Sequence, residues 1–151
     1  LFRGVTILNL DAKGRMAVPT KYREQIQTQG DGQLVVTLDM SDPCLLIYPL
    51  TEWEDIERKL VRLPSLNKQA MRIKRLLLGH AAEVEVDSHG RILLPPALRE
   101  LVGLEKRVVL LGQGNKFEVW DETRWNEQRN QWLTEDATDQ GLPDDLETLS
   151  L

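Results

Sequence analysis

Residues 11–24 and 87–100 are two versions of one segment. Asp11-Ala-Lys-Gly-Arg-Met-Ala-Val-Pro-Thr-Lys-Tyr-Arg-Glu24 aligns without a gap on Asp87-Ser-His-Gly-Arg-Ile-Leu-Leu-Pro-Pro-Ala-Leu-Arg-Glu100, and six of the fourteen positions are identical. The offset is 76 here and drops to 72 further on, where Ile47-Tyr48 matches Val119-Trp120, Thr51 matches Thr123 and Trp53 matches Trp125. Two matching blocks in the same order indicate an internal duplication. The chain is therefore read as two copies of one β-rich unit.

Each copy spells the same string of elements. Val5–Leu10 and Ala82–Val86 have strand character, the second with apolar and charged residues alternating. Asp-x-x-Gly follows in both copies and suits a tight hairpin turn. The Asp carboxylate accepts from nearby backbone N–H groups there, and Gly14 or Gly90 takes the positive φ. Arg-Met-Ala-Val and Arg-Ile-Leu-Leu read as the return strands of those hairpins, ended by Pro19 and Pro95. Thr20–Ile26 and Pro96–Val102 read as short helices, with Thr20 as an N-cap and Pro96 in a first turn. Leu34–Leu38 with Cys44–Tyr48, and Arg107–Leu111 with Phe117–Trp120, are predicted to form a second hairpin in each copy.

Thr51-Glu-Trp-Glu54 reads as a capping box before a helix reaching about Arg62, with Trp53, Ile56, Leu60 and Leu63 on one face. Asp121 opens the equivalent helix in the second copy. Between the copies, Asn67–Leu78 has helical spacing, with Ala70, Ile73 and Leu77 on one face, and Gly79 is its stop signal. The expected organisation is a first repeat over 1–64, a connecting helix over 65–80, a second repeat over 81–133 and an acidic tail over 134–151, loosely held with one short helix.

The net charge of −5 argues at first sight against a polyanionic partner. Its distribution reverses that. Residues 118–151 carry ten Asp/Glu against two Lys/Arg, which leaves 17 basic and 14 acidic residues in the other 117. Residues 58–80 hold seven Lys/Arg and no Asp/Glu. Local field, not total charge, governs association. Cys44 is the single cysteine, and no Cys/His cluster has zinc spacing, so neither a disulfide nor a bound metal or other cofactor is expected. No apolar run approaches a membrane span, and Leu1-Phe2-Arg3-Gly4 does not open a leader pattern. The expectation is a cytoplasmic, non-enzymatic protein, since no nucleophile motif or metal set is found.

The repeated Asp-x-x-x-Arg is Asp11…Arg15 and Asp87…Arg91. Together with Phe2-Arg3-Gly4, Gly79-His80-Ala81 and Pro49-Leu50-x-x-Trp53, it makes residues 1–133 resemble the MraZ family. That family is grouped with the AbrB/SpoVT-like swapped-hairpin regulators. The resemblance implies an α+β fold: a duplicated β-α-β swapped-hairpin barrel with flanking helices, in which the paired halves interlock. It also implies a homo-oligomeric ring and nucleoid association. The implied partner is double-stranded DNA carrying short G-rich direct repeats upstream of the division and cell-wall gene cluster. The second copy departs slightly, with Ser88-His89 where the first has Ala12-Lys13.

A two-stranded ribbon can enter the major groove, and arginine can reach guanine O6 and N7 together. Lys13 and Arg15 in one copy, and His89 and Arg91 in the other, stand where a ribbon's tip and first return residue would meet DNA. Arg3 is a further candidate for phosphate. Asp11 and Asp87, repelled by DNA, are expected to shape the turn or hold the arginine, with Gly14 and Gly90 allowing the turn. Lys21, Arg23 and Arg99 either contact the DNA backbone or, the favoured expectation, pair with Glu24 and Glu100. Lys68, Arg72 and Arg75 read as a subunit contact or solvated face, the four tryptophans as core or interface, and His80 as structural. The rival reading is an antitoxin-like module that binds a protein through the acidic tail.

Overall fold

The computed structural model of the chain describes residues 1–135 and Leu149. The elements of the first copy are β1 (Val5–Asn9), β2 (Arg15–Ala17), α1 (Thr20–Gly30), β3 (Gln33–Leu38), β4 (Leu45–Pro49) and α2 (Leu50–Val61). A connecting helix follows, α3 (Lys68–Ile73), which runs on as a π-helical turn over Lys74–Leu78. The second copy supplies β5 (Ala82–Glu85), β6 (Arg91–Leu93), α4 (Pro96–Leu101), β7 (Arg107–Gly112), β8 (Phe117–Asp121) and α5 (Glu122–Thr134). The protein is α+β, and no described helix is long and apolar enough to cross a membrane.

Six strands form one antiparallel sheet in the order β1-β7-β8-β4-β3-β5, and β2 pairs with β6 in a separate two-stranded ladder. The central strands are near-continuous apolar runs because both faces of the sheet are covered. Successive side chains alternate between the faces. Leu34, Val36, Leu45, Ile47, Val108, Leu110, Phe117 and Val119 point to one side, where they meet Tyr22 and Ile26 of α1, Leu98 of α4 and the inner residues of the ladder. Val35, Leu46, Tyr48, Val109 and Trp120 point to the other, where they meet Trp53 and Leu60 of α2, Trp125 of α5, and Ile73 and Leu77 of the connecting helix. The predicted apolar faces of α2 and of the connecting helix are thus the ones that pack.

The hairpins β3–β4 and β7–β8 form as expected, Val36 opposite Ile47 and Leu110 opposite Val119. The other expected hairpins do not. The Asp-x-x-Gly turns are there, but their arms diverge into different sheets. β1 pairs with β7 of the other copy, and β5 pairs with β3. β2 and β6 pair with each other, so Met16 faces Ile92. These two residues are equivalent in the repeat, which puts a pseudo-two-fold axis through the ladder. A second pair of equivalents, Leu46 and Glu118, face each other where β4 meets β8. No closed barrel is found among the described residues: β1 and β5 are the two edges of an open sheet.

Two expected caps are also corrected. Thr20 is the first helical residue after Pro19 and makes no cap, and α1 runs on to Gly30. Thr51 lies inside α2, which opens at Leu50; its hydroxyl donates to the Gln29 carbonyl at 2.6 Å and ties α2 to the end of α1. The helix between the copies starts on Asn67, whose Oδ1 accepts from the Ala70 N–H at 3.0 Å. It widens to a π turn closed by the Gly79 N–H donating to the Lys74 carbonyl at 2.9 Å. A Cβ on Gly79 would run into the Arg75 carbonyl, so glycine fits the stop signal there. The expectations for the tail beyond Glu135 lie outside the described residues, Leu149 apart.

The axis pairing has a measurable consequence. Met16 and Ile92 are each 1% exposed. Truncating either to alanine should cost about 2–5 kcal/mol in denaturant unfolding. Because the two face each other, the double variant should depart from the sum of the singles by about 0.5 kcal/mol or more. Additive losses would mean the two residues do not share one packed site.

Candidate nucleic-acid interface

The outer face of the ladder is the reverse of the side that packs. In a strand, alternate residues share a face, so burying Met16 and Ile92 turns Arg15, Ala17, Arg91 and Leu93 outward. The register sets Arg15 opposite Leu93 and Ala17 opposite Arg91. Both repeated arginines therefore come together on one surface, although 75 residues separate them in sequence.

Each arginine is held by the turn that precedes it. In the first turn, Asp11 Oδ1 accepts from the N–H groups of Lys13 and Arg15, each at 2.9 Å, while Oδ2 accepts from Arg15 Nε at 2.6 Å. The turn closes with the Gly14 N–H donating to the Asp11 carbonyl at 2.9 Å. The second turn repeats the pattern. Asp87 Oδ1 accepts from His89 at 2.8 Å and Arg91 at 2.9 Å, and Oδ2 accepts from Arg91 Nε at 3.3 Å. The Arg15 amide, joined by its side chain and the Lys13 amide, outweighs desolvation and holds the Asp11 carboxyl at about 2, against an ordinary 3.8. The Arg91 amide, with the His89 amide and the Arg91 charge, likewise keeps Asp87 below the usual range. Asp11 also lies 3.8 Å from Arg91 Nη1, so it draws both guanidiniums toward one point.

The attachment through Nε has a chemical consequence. It orients the planar guanidinium without a hydrogen bond from the two terminal nitrogens, which carry four of the five N–H donors, although Arg91 Nη1 lies within ion-pair distance of Asp11. Each arginine is thus aimed and half-exposed, with its fork still available.

The glycines reveal a role that sequence reasoning missed. Gly14 and Gly90 have φ of 84° and 76° and are buried. What buries them is an arginine from the other copy. A Cβ on Gly14 would overlap the Arg99 guanidinium, and one on Gly90 would overlap that of Arg23. Arg23 Nε donates to the Val18 carbonyl at 2.9 Å, and Arg99 Nε to the Leu94 carbonyl at 3.3 Å. The expected pairing of Arg23 and Arg99 with Glu24 and Glu100 is absent among the described residues. Each arginine instead lies across the turn of the opposite copy. The backbone agrees, because the Val18 N–H donates to the Gly90 carbonyl at 2.8 Å and the Leu94 N–H to the Gly14 carbonyl at 3.2 Å. The signal was in the repeat: the second identical arginine needed a reason to recur, and crossing between copies supplies it.

The remaining expectations divide. Lys13 and His89 are exposed at the two tips. Arg3 is exposed but stands apart, at the other end of β1 and beside the β7–β8 turn, where its carbonyl accepts from the Tyr22 hydroxyl. Lys21 Nζ lies 4.9 Å from the centre of the Tyr22 ring rather than beside Glu24. Lys68, Arg72 and Arg75 are exposed on the connecting helix, across the sheet from the ladder. Trp53, Trp120 and Trp125 are buried, while Trp132 is 44% exposed and packs edge-on against Trp120 and Trp125. Among the described residues no group of three or more His, Cys, Asp or Glu is placed to hold a metal ion.

A family profile described as "MraZ protein, putative antitoxin-like" matches residues 1–76 and again 77–141. The chain belongs to the MraZ family. A protein of Halorhodospira halophila named transcriptional regulator MraZ is 57% identical over the whole of both chains. The protein of that name from Alkalilimnicola ehrlichii is 52% identical over the whole of both, and that from Methylococcus capsulatus is 57% identical over 95% of this chain and 93% of its own.

Two measurements check this geometry. Since Asp11 has a folded value below its unfolded 3.8, its contribution to stability is complete above that pH and is lost as pH falls from 3.8 to about 2. A carboxyl carbon NMR titration should place its midpoint near 2, and a midpoint at 3.8 would contradict the turn. Gly14→Ala should destabilise by about 1 kcal/mol or more, from positive φ and overlap with Arg99. Arg99→Ala should remove the overlap but not the φ strain, so the two substitutions should be coupled in unfolding measurements.

Proposed function

We propose that this chain is a sequence-specific DNA-binding transcriptional regulator that sets the outer face of the β2–β6 ladder into the major groove. One observation carries the reading: both repeated arginines stand on one exposed face, each fixed through Nε by a carboxylate. Held this way, Arg15 and Arg91 can each present two donors to O6 and N7 of a guanine, the commonest specific contact in that groove. The relatives' printed name, transcriptional regulator, supports the same assignment.

Within this reading Lys13 and His89 at the tips approach phosphates, and Arg3 makes a separate backbone contact. Asp11, Asp87, Gly14 and Gly90 shape the turns and do not touch DNA. The target is short G-rich direct repeats upstream of the division and cell-wall gene cluster, as the family resemblance implies. Two arginines read few base pairs, so several chains in a homo-oligomeric ring engage adjacent repeats, and linkage raises affinity without new contacts. Such a protein works in the cytoplasm at the nucleoid. The rival reading, an antitoxin-like module whose acidic tail binds a protein, shares a word with the profile's description but is not favoured by the relatives' name.

Binding of a labelled duplex carrying G-rich repeats, against a scrambled duplex, tests the proposal across salt. Arg15→Ala should reduce the preference for repeats by about tenfold or more, the worth of one bidentate contact. Lys13→Ala should weaken both duplexes alike and lower the salt slope by about 1. Equal weak binding to both duplexes, unchanged by Arg15→Ala, would favour the protein-binding reading.

A further inference from the structure

One large apolar residue on the ladder's outer face is left half-exposed. Leu93 is 49% exposed, whereas its neighbours Ile92 and Leu94 turn inward at 1% and 0%. Its partner in the register is Arg15. Directly opposed residues on one face of an antiparallel pair hold their Cβ atoms about 4.5–5.5 Å apart. Arg91 stands two residues before Leu93 on the same strand and face. The leucine therefore stands beside both arginines on that face. A single exposed leucine is ordinary on a protein surface. One seated among the charged groups of the candidate interface is in a position where water, ions and salt bridges would favour a polar residue.

The repeat sharpens the point. The residue equivalent to Leu93 is Ala17, and Ala17 pairs with Arg91. The pseudo-axis that relates Arg15 to Arg91 thus relates a long apolar side chain to a single methyl. The two halves of the face are alike in their arginines and unlike in what stands beside them.

We propose that Leu93 is a specificity-determining residue that contacts the C5-methyl group of a thymine next to the guanine read by Arg15. The inference rests on the DNA reading above. In the major groove the thymine methyl is the apolar group a base edge presents. Leu93 has the reach to meet it from beside Arg15, while Ala17 ends at Cβ and leaves Arg91 to read guanine alone. One half of the ladder then reads guanine with thymine, and the other reads guanine. A chain that binds this way has a direction on the duplex despite its internal symmetry, which suits repeats that all point the same way.

The test uses the full chain and the duplex that the wild-type protein enriches from a random-sequence pool. That duplex is compared with copies in which each thymine in turn is replaced by deoxyuridine, which lacks only the methyl. Wild type should bind about fourfold more weakly when one particular thymine is replaced, the worth of one buried methyl group. Leu93→Ala should bind the thymine duplex about fourfold more weakly than wild type and should not distinguish thymine from deoxyuridine. It should keep its dependence on Arg15, which shows that it is folded and still reads guanine. If wild type enriches G-rich repeats but binds thymine and deoxyuridine copies equally at every position, or if Leu93→Ala keeps the discrimination, the role of Leu93 is overturned and the DNA reading stands. If wild type enriches no sequence, both fall together.

Discussion

Met16 and Ile92 hold the same place in two copies of one segment, and they face each other across the β2–β6 ladder. That pairing sets the rest of the molecule. β2 and β6 pair with each other, and neither closes a hairpin with the strand before it in sequence. β1 and β5 find partners elsewhere, and each takes the third strand of the other copy. The result is that the sequence copies are not spatial units. Each contributes strands to both ends of one sheet, and the apolar residues of both fill the same two layers.

The same exchange builds the candidate interface. Neither copy alone has two arginines on one face, nor an arginine to lay over its own glycine turn. The crossing of Arg23 onto Gly90 and Arg99 onto Gly14 makes each turn depend on the other copy. The carboxylates of Asp11 and Asp87 use their oxygens on the turn's backbone and on Nε, which satisfies the aspartate and aims the arginine together. The surface is electrically mixed rather than simply basic. In the proposed reading it would engage DNA through positioned donors rather than bulk charge, which fits a chain of net charge −5.

Much of this was legible in the residues because it depends on local chemistry. The turns followed from Asp and Gly at fixed spacing, the β3–β4 and β7–β8 hairpins from apolar runs and short loops, and the buried faces of α2 and the connecting helix from their period. The errors share one cause. The β1–β2 hairpin was expected because adjacent strands joined by a tight turn ordinarily pair, and only a partner 76 residues away could displace it. Thr51 looked like a cap because its hydroxyl's true partner, the Gln29 carbonyl, belongs to another helix. Arg23 and Arg99 were matched to neighbouring glutamates for the same reason. Leu93 was read only as part of a return strand, and the register shows that it faces out beside Arg15.

The central claim is that two distant segments form one DNA-facing surface. Hydrogen-exchange mass spectrometry of the full chain, free and bound to a G-rich repeat duplex, tests it most directly. The account predicts that binding slows exchange in residues 11–17 and 87–93 together, while the exposed stripe at Lys68, Arg72 and Arg75 is unchanged by DNA. Protection confined to one of the two turns, or centred on that stripe, would contradict it.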